Sequence, residues 1–173
     1  MPLSHLRDDT RVVAYRVSMS HFCQRRERWL DPVDLAFFAL PLTETLMDQI
    51  ESIASAIKGY FDLMYDADDN RFPEVFHGAC LVHGMRDGKL TAWSASEFRD
   101  VIRGRPSPAA MKSPREQEIL TIEHTAPDLA AAKVRVRIGQ TGFIDHLIFH
   151  RIDGKWLVTS KAFHVARVFP PGS

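Results

Sequence analysis

The stretch TGFIDHLIFHRIDGKWLVTSKAFH, residues 141–164, decides the fold because it reads as two strands joined by a tight turn. An Asp-Gly pair between alternating apolar residues is the strongest short-range signal for a β-hairpin. Here the pair is Asp153-Gly154, and closing the turn between Ile152 and Lys155 fixes which residues of the two strands face each other. The sequence therefore predicts a hairpin with a regular register.

Counting outward from this turn predicts which side chains share a face of the hairpin, because side chains alternate along a strand. Asp145 then lies opposite Ala162, and Phe143 lies opposite His164, on the apolar face. Asp145 and His164 become diagonal neighbours, roughly 7–8 Å apart between Cα atoms. Two interpretations stay open: an acid–base dyad, or a buried structural pair. The same face carries Leu147, Phe149, Arg151, Trp156, Val158 and Ser160.

The opposite, outer face of the predicted sheet mixes charged and apolar side chains. A face that only meets solvent does not need several large apolar residues, so this pattern predicts that something covers it. We expect a second copy of the chain, giving a homodimer, and the N-terminal segment is the alternative cover. The outer face is predicted to carry Lys133, Arg135, Arg137, His146, His150 and Lys161 among Ile144, Ile148, Leu157 and Phe163.

Upstream of the hairpin, the periodicity of apolar residues predicts an amphipathic helix from Thr43 to about Asp66. Its stripe is Leu46, Ile50, Ile53, Ile57, Phe61 and Met64. A short helical turn at 71–76, strands at 77–85 and 90–93, and a helix capped by Ser94 or Ser96 follow. Two more strands, at 118–125 and 130–139, precede the hairpin. Helices followed by a run of strands with one apolar face are typical of an α+β layer.

Composition limits the function classes. The chain has 173 residues, 45% of them hydrophobic, and 22 basic residues balance 22 acidic ones, which argues against a nucleic-acid partner. No apolar run is long enough to cross a membrane, and two widely spaced cysteines favour a reducing, cytoplasmic location. No metal site is expected, since His146 and His150 would lie roughly 13 Å apart on a strand. We expect an N-terminal extension at 1–41, ordered at most in part, and one domain at 42–173.

The order of these elements resembles the nuclear transport factor 2-like superfamily, whose members include ketosteroid isomerase, scytalone dehydratase and relatives of the polyketide cyclases. The resemblance runs from Glu44 to His164 and is closest to the bacterial lumazine-binding branch. The matching pieces are the helix end from Tyr60 to Asp66, then VFH at 75–77, FIDHL, RIDGKW and SKAFH. The resemblance implies a cone in which a long N-terminal helix and two short helices cover a curved antiparallel sheet.

Function is implied by the same resemblance. Cone-fold proteins hold small molecules between the long helix and the sheet, so we expect a small apolar or aromatic ligand and no cofactor. If the chain is an enzyme, we expect a cofactor-free isomerase, dehydratase or lyase acting on a cyclic or aromatic substrate, with Asp145, His164 and Tyr60 as catalytic residues. The alternative is a non-catalytic ligand-binding or protein-interaction module. The predicted ligand-binding residues are Tyr65, His83, Phe61, Phe143, Leu147 and Trp156.

Overall fold

The computed structural model describes residues 32–86 and 88–170, with side chains from Leu46 onward. Residues 1–31, most of the predicted N-terminal extension, lie outside these ranges. In the described part, helices come first and four long strands come last. The elements are α1 (Pro32–Asp66), a 3₁₀ turn (Asp69–Arg71), α2 (Phe72–Val75), β1 (Phe76–Arg86), β2 (Lys89–Ser94), α3 (Ala95–Gly104), β3 (Gln117–Ala126), β4 (Leu129–Ile138), β5 (Thr141–Ile152) and β6 (Lys155–Val168).

Helix α1 is the long helix that the apolar stripe predicts, but its start differs from the prediction. The helical backbone begins at Pro32 and not at Thr43, and it continues without a break to Asp66. Proline is well tolerated in the first turn of a helix, where its missing N–H costs no hydrogen bond. Ile53 and Ile57 are fully buried against the sheet. Each such side chain stabilises the fold by about 1.5–3 kcal/mol, so the stripe anchors α1 to the sheet.

The six strands form one curved sheet in the order β2-β1-β6-β5-β4-β3. The prediction of an α+β cone is confirmed. The sheet is not purely antiparallel, however, because β1 runs parallel to β6 while the other neighbouring strands are antiparallel. Sequence patterns around turns cannot reveal this pairing, since β1 and β6 are far apart along the chain.

The closing hairpin contains both a confirmed turn and an irregularity that the alternation of residues does not reveal. Asp153 and Gly154 both have positive φ angles, as a type I′ turn requires, and Ile152 pairs with Lys155 as predicted. Farther out, Phe149 pairs with Val158 but Ile148 pairs with Ser160. One extra residue, Thr159, is thus inserted in β6 as a β-bulge.

The bulge changes the face of the residues from Ser160 to Val165, after which a second register shift follows. In a regular ladder, Ser160 would share the inner face with Val158, whereas the bulge places Ser160 beside Ile148 on the outer face. Lys161 then pairs with Leu147 on the inner face, and His164 pairs with Ile144 on the outer face. The predicted register is therefore wrong by one residue from Ser160 onward. A one-residue slip exchanges the two faces of a strand.

Helix α3 closes one end of the cone. Ser94 accepts a hydrogen bond from the Glu97 backbone N–H, and the Glu97 carboxylate accepts one from the Ser94 backbone N–H. This capping box satisfies two N–H groups that the helix itself leaves unpaired. The helix packs on β1 and β2 and buries Phe98 and Ile102. The predicted cap at Ser94 is confirmed, and it fixes where α3 leaves the sheet.

Candidate active site

A cavity of about 640 Å³ opens between α3, the end of α1 and the inner face of the sheet. We call it the cone cavity. Its volume suits a small organic molecule. Its walls are largely apolar, both aromatic and aliphatic, and the charged side chains that line it are all basic. The side chains that matter most below are Trp93, Phe98, Phe143, Phe163, Arg105 and Lys161.

At the floor of this cavity, three polar side chains form what we call the Tyr60–Asp145–Lys161 cluster. Tyr60 Oη donates to Asp145 Oδ2 at 2.5 Å. Lys161 Nζ donates to Tyr60 Oη at 2.6 Å and to Asp145 Oδ2 at 3.0 Å. Tyr60 and Asp145 are fully buried, and Lys161 is 3% exposed. Lys161 is the member of the cluster that lines the cavity, so it is the one that a bound molecule would contact.

Burial sets the protonation behaviour of this cluster. Burial lowers the pKa of the Lys161 ammonium, and the nearby Asp145 carboxylate opposes part of that effect. Burial also raises the pKa of the Tyr60 phenol well above its usual range, and the adjacent Asp145 raises it further. The pKa of Tyr60 is thus shifted toward keeping its proton, and that of Lys161 toward losing one.

Aromatic rings frame the lysine. Lys161 Nζ lies 5.0 Å from the centroid of the Tyr60 ring and 5.3 Å from that of Phe98. Phe163 stacks on Trp93 with ring centroids 5.7 Å apart, and it meets Phe143 edge-on at 6.1 Å. Such rings favour a flat apolar ligand and keep the amine in a setting of low polarity.

The structure brings together two of the three predicted catalytic residues. Tyr60 and Asp145 are hydrogen-bonded, although they are far apart in the sequence. His164 is exposed on the outer face opposite Ile144, so the predicted pairing of Asp145 with His164 is wrong. Lys161, and not the predicted His164, is the residue that contacts Asp145.

Among the predicted ligand-binding residues, Phe143 lines the cone cavity. His83 pairs with Ala162 and points outward, because Cys80, Val82 and Gly84 form the buried face of β1. The prediction that His83 faces the cavity is therefore wrong.

The four remaining predicted residues lie away from the cone cavity. Phe61 and Leu147 are buried in the core. Tyr65 donates its hydroxyl to the Ser113 carbonyl oxygen at 3.0 Å, which fixes it against the loop before β3. Trp156 lines a smaller groove of about 280 Å³ beside α1.

Sequence reasoning missed Lys161 and Arg105. Lys161 was assigned to the charged outer face, and only the bulge at Thr159 turns it inward. Arg105 follows Gly104 at the end of α3, where composition alone suggests a loop. A buried position for either could have been suspected only from tertiary contacts, since both residue types are usually exposed.

A comparison with protein families agrees with this architecture. Residues 48–164 match the family described as "Putative lumazine-binding". The chain belongs to this family. The resemblance of the element order to the nuclear transport factor 2-like superfamily is thereby confirmed, and the match includes all three residues of the Tyr60–Asp145–Lys161 cluster.

Among solved structures, similar chains include nuclear transport factor 2-like proteins of unknown function from Silicibacter pomeroyi and Shewanella baltica. The first has a TM-score of 0.63 and 18% identity, covering 69% of this chain and 98% of its own. The second has a TM-score of 0.60 and 24% identity, covering 68% and 94%. At these identities the likeness supports the fold alone.

A curated relative is named for an activity. The chain is 26% identical over 118 residues to a protein named aldolase FrzH from Cladobotryum sp.. The similar region covers 67% of this chain and 90% of that protein.

Within the described residues, 32–86 and 88–170, no helix is both long and apolar enough to span a membrane. In the same ranges, no three His, Cys, Asp or Glu side chains are grouped so that they could hold a metal ion.

Proposed function

We propose that this protein binds a small, mainly apolar carbonyl compound in the cone cavity and performs cofactor-independent acid–base chemistry on it. One observation carries the proposal: Lys161 lines the mainly apolar cavity, and its amino group is hydrogen-bonded to Tyr60 and Asp145, which do not line it. A buried lysine is readily tuned to exchange protons, because burial disfavours its charged form. We expect the substrate to contain a ring, since the cavity walls are aromatic.

The hydrogen bonds of Lys161 define how it can act. An ammonium group has three N–H bonds, and in the described structure two of them point to Tyr60 and Asp145. The third position on Nζ remains for a ligand. In the ammonium form it donates to a substrate carbonyl oxygen, and in the amine form it offers a lone pair as a base.

In the resting cluster Lys161 is paired with Asp145 as an ion pair, and the proposed reaction proceeds after Lys161 has lost a proton to give the amine form. Lys161 takes a proton from the carbon next to the substrate carbonyl, and the electrons of the broken C–H bond move onto the carbonyl oxygen. The product is an enolate, and the new ammonium is stabilised by Asp145 and Tyr60. Returning the proton at another carbon gives an isomerisation, and expulsion of a β-hydroxyl group that takes the proton from Lys161 gives a dehydration and releases water. Attack of the enolate carbon on a second carbonyl carbon gives an alkoxide, which takes the proton from Lys161 to form the aldol product. In reverse, the Lys161 amine takes the hydroxyl proton, the carbon–carbon bond breaks to an aldehyde and an enolate, and the enolate carbon takes the proton back.

Of these outcomes we favour aldol-type chemistry, which belongs to the lyase group. The support is the name of the curated relative, an aldolase at 26% identity over 118 residues. A carbon–carbon bond made or broken next to a carbonyl needs only the proton transfers described above. No cofactor is required by this scheme.

A non-catalytic ligand-binding module is the second candidate. It is favoured by one observation: Tyr60 and Asp145 are sealed from solvent, and the cluster satisfies most of its own hydrogen bonds. Buried polar networks of this kind can serve to fix a unique packing. The two candidates differ in whether Lys161 moves protons or only holds the cone together.

The test uses an aryl β-hydroxyketone whose retro-aldol cleavage releases a fluorescent naphthaldehyde. We expect the parent protein to cleave it and Tyr60→Phe to do so about 100-fold more slowly, because the hydrogen bond that stabilises the new ammonium of Lys161 is lost. Tyr65→Phe is the control, because the Tyr65 hydroxyl binds a loop carbonyl instead. Binding of the ketone by the parent without any cleavage would favour the non-catalytic module.

We also propose a homodimer formed through the outer sheet face, and a cytoplasmic location in line with the free, buried Cys80. Ile144 and Ile148 are half-buried on that face, and Leu81 is 50% exposed beside it. Phe163 does not belong there, because the bulge turns it into the cavity.

The dimer is tested by changing the centre of the outer face. Ile148→Asp should convert the protein from dimer to monomer in sedimentation velocity, because it places a charge in an apolar contact. Leu90→Asp, at an exposed position on β2, is the control and should keep the dimer. An unchanged mass for Ile148→Asp would mean that the sheet face does not mediate association.

A further inference from the structure

Arg105 lines the cone cavity at the point where α3 ends. Its Nη2 donates to the Met64 carbonyl oxygen at 2.6 Å, which ties the guanidinium to the end of α1. Its Nε is buried and has no hydrogen-bond partner within the described residues. One hydrogen bond thus holds the side chain in place, and its Nε–H donor has no partner among the described residues.

The charge of Arg105 is also unbalanced. Arg99 and Arg103, on the same helix, both pair with Asp69, whereas no carboxylate in the described ranges forms an ion pair with Arg105. Asp145, the acid nearest the cavity floor, already binds Lys161. Partial burial lowers the pKa of Arg105, because removal from water disfavours the charged form.

The charged side chains that line the whole cavity are also unbalanced in sign. Three cationic side chains line it, Arg86, Arg105 and Lys161, and no aspartate or glutamate of the described chain does. With Lys161 matched by Asp145, the wall keeps an excess of positive charge. Arg86 is exposed and Arg105 is half-buried, so Arg105 is the cation that is partly removed from water without an ion-pair partner among the described residues.

We propose that Arg105 is an anion-binding residue of the cone cavity and that the natural ligand carries a carboxylate or similar anionic group beside its apolar ring. This inference rests on the proposed binding function and adds the chemical class of the ligand. A guanidinium fork matches a carboxylate in geometry and can bind it through two N–H groups. The aromatic walls hold the ring while Arg105 fixes its orientation toward Lys161.

The experiment compares two probes of the same shape, naphthoate and its neutral analogue naphthamide, by isothermal titration calorimetry on the full chain. We expect the parent to bind naphthoate at least about 10-fold more tightly than naphthamide. Arg105→Gln should reduce naphthoate affinity to the level of the amide and leave naphthamide affinity unchanged. Glutamine removes the charge and is too short to replace the Nη2 hydrogen bond to Met64, so unchanged naphthamide binding is needed to show that the cavity is intact.

Controls and contrary outcomes separate this inference from the proposed function. Arg103→Gln removes a surface arginine two residues away and should leave both affinities unchanged. Equal affinity of the parent for the two probes would overturn the inference while leaving cavity binding in place. Loss of naphthoate binding in Arg86→Gln but not in Arg105→Gln would assign the anion to Arg86 and also overturn it. Failure of the parent to bind either probe would contradict the binding function itself.

Discussion

Replacing Lys161 by methionine is expected to destabilise the fold by about 3–5 kcal/mol and to abolish turnover of the aryl β-hydroxyketone. Removing one partner of a buried ion pair leaves the other charge uncompensated, and Asp145 is fully buried. The aliphatic part of the methionine side chain fills similar space, so the loss reflects charge more than volume. Urea denaturation followed by circular dichroism gives the free energy of unfolding, and the naphthaldehyde fluorescence gives the activity.

The matched controls separate stability from chemistry. Lys155→Met alters an exposed lysine on the same strand and should change stability by no more than about 0.5 kcal/mol. A triple variant, Lys161→Met with Asp145→Leu and Tyr60→Phe, replaces the whole cluster by apolar groups. Its stability should return close to that of the parent, because a buried ion pair can be exchanged for apolar packing at little cost. Its activity should not return. Turnover in the triple variant would remove the cluster from the reaction.

Gly84→Ala is expected to cost about 1–3 kcal/mol of stability and to distort the cone cavity, as overpacking of a core usually does. A Cβ built on Gly84 would lie 2.2 Å from the nearest atom of the Phe163 ring, far inside contact distance. The ring cannot retreat freely, because it stacks on Trp93 and meets Phe143. Glycine in a strand interior commonly marks such a close approach.

Thermal unfolding and naphthamide binding measure the two consequences of this change. The melting temperature should fall, and naphthamide affinity should fall with it, because Phe163 is part of the cavity wall. Gly78→Ala is the control on the same strand, since nothing lies within 4 Å of a Cβ at that position. Equal stability of the two variants would show that the Phe163 ring does not depend on the missing side chain of Gly84.

Much of the fold follows from local patterns in the sequence. The Asp153-Gly154 turn fixes the hairpin because both residues must adopt positive φ, which few residue types tolerate. The capping box at Ser94 fixes the start of α3, and the apolar stripe of α1 fixes which side of that helix faces the sheet. Asp145 was placed correctly on the inner face, because β5 is regular between the turn and that residue.

Only part of the candidate site could be predicted from local sequence patterns. Tyr60 and Asp145 could be predicted as site residues because each is a polar residue among apolar neighbours. No local sequence pattern shows that the two side chains contact each other. Lys161 was predicted to lie on the outer face, because the alternation of polar and apolar residues along β6 looks the same with or without a bulge. His164 was predicted to face inward for the same reason, since the residues from Ser160 to Val165 change face together.

The sequence by itself thus determined the elements, the hairpin turn, the α+β class and the side of the sheet that carries Asp145. Tertiary structure alone decided the bulge at Thr159, the parallel pairing of β1 with β6 and the cationic wall of the cavity. The physical reason is the range of the interactions involved. Turns, caps and helical stripes are set by neighbours along the chain, whereas the bulge is held by contacts that form only when distant segments meet. Those contacts are Lys161 with Asp145 and Tyr60, and Phe163 with Gly84 and Trp93.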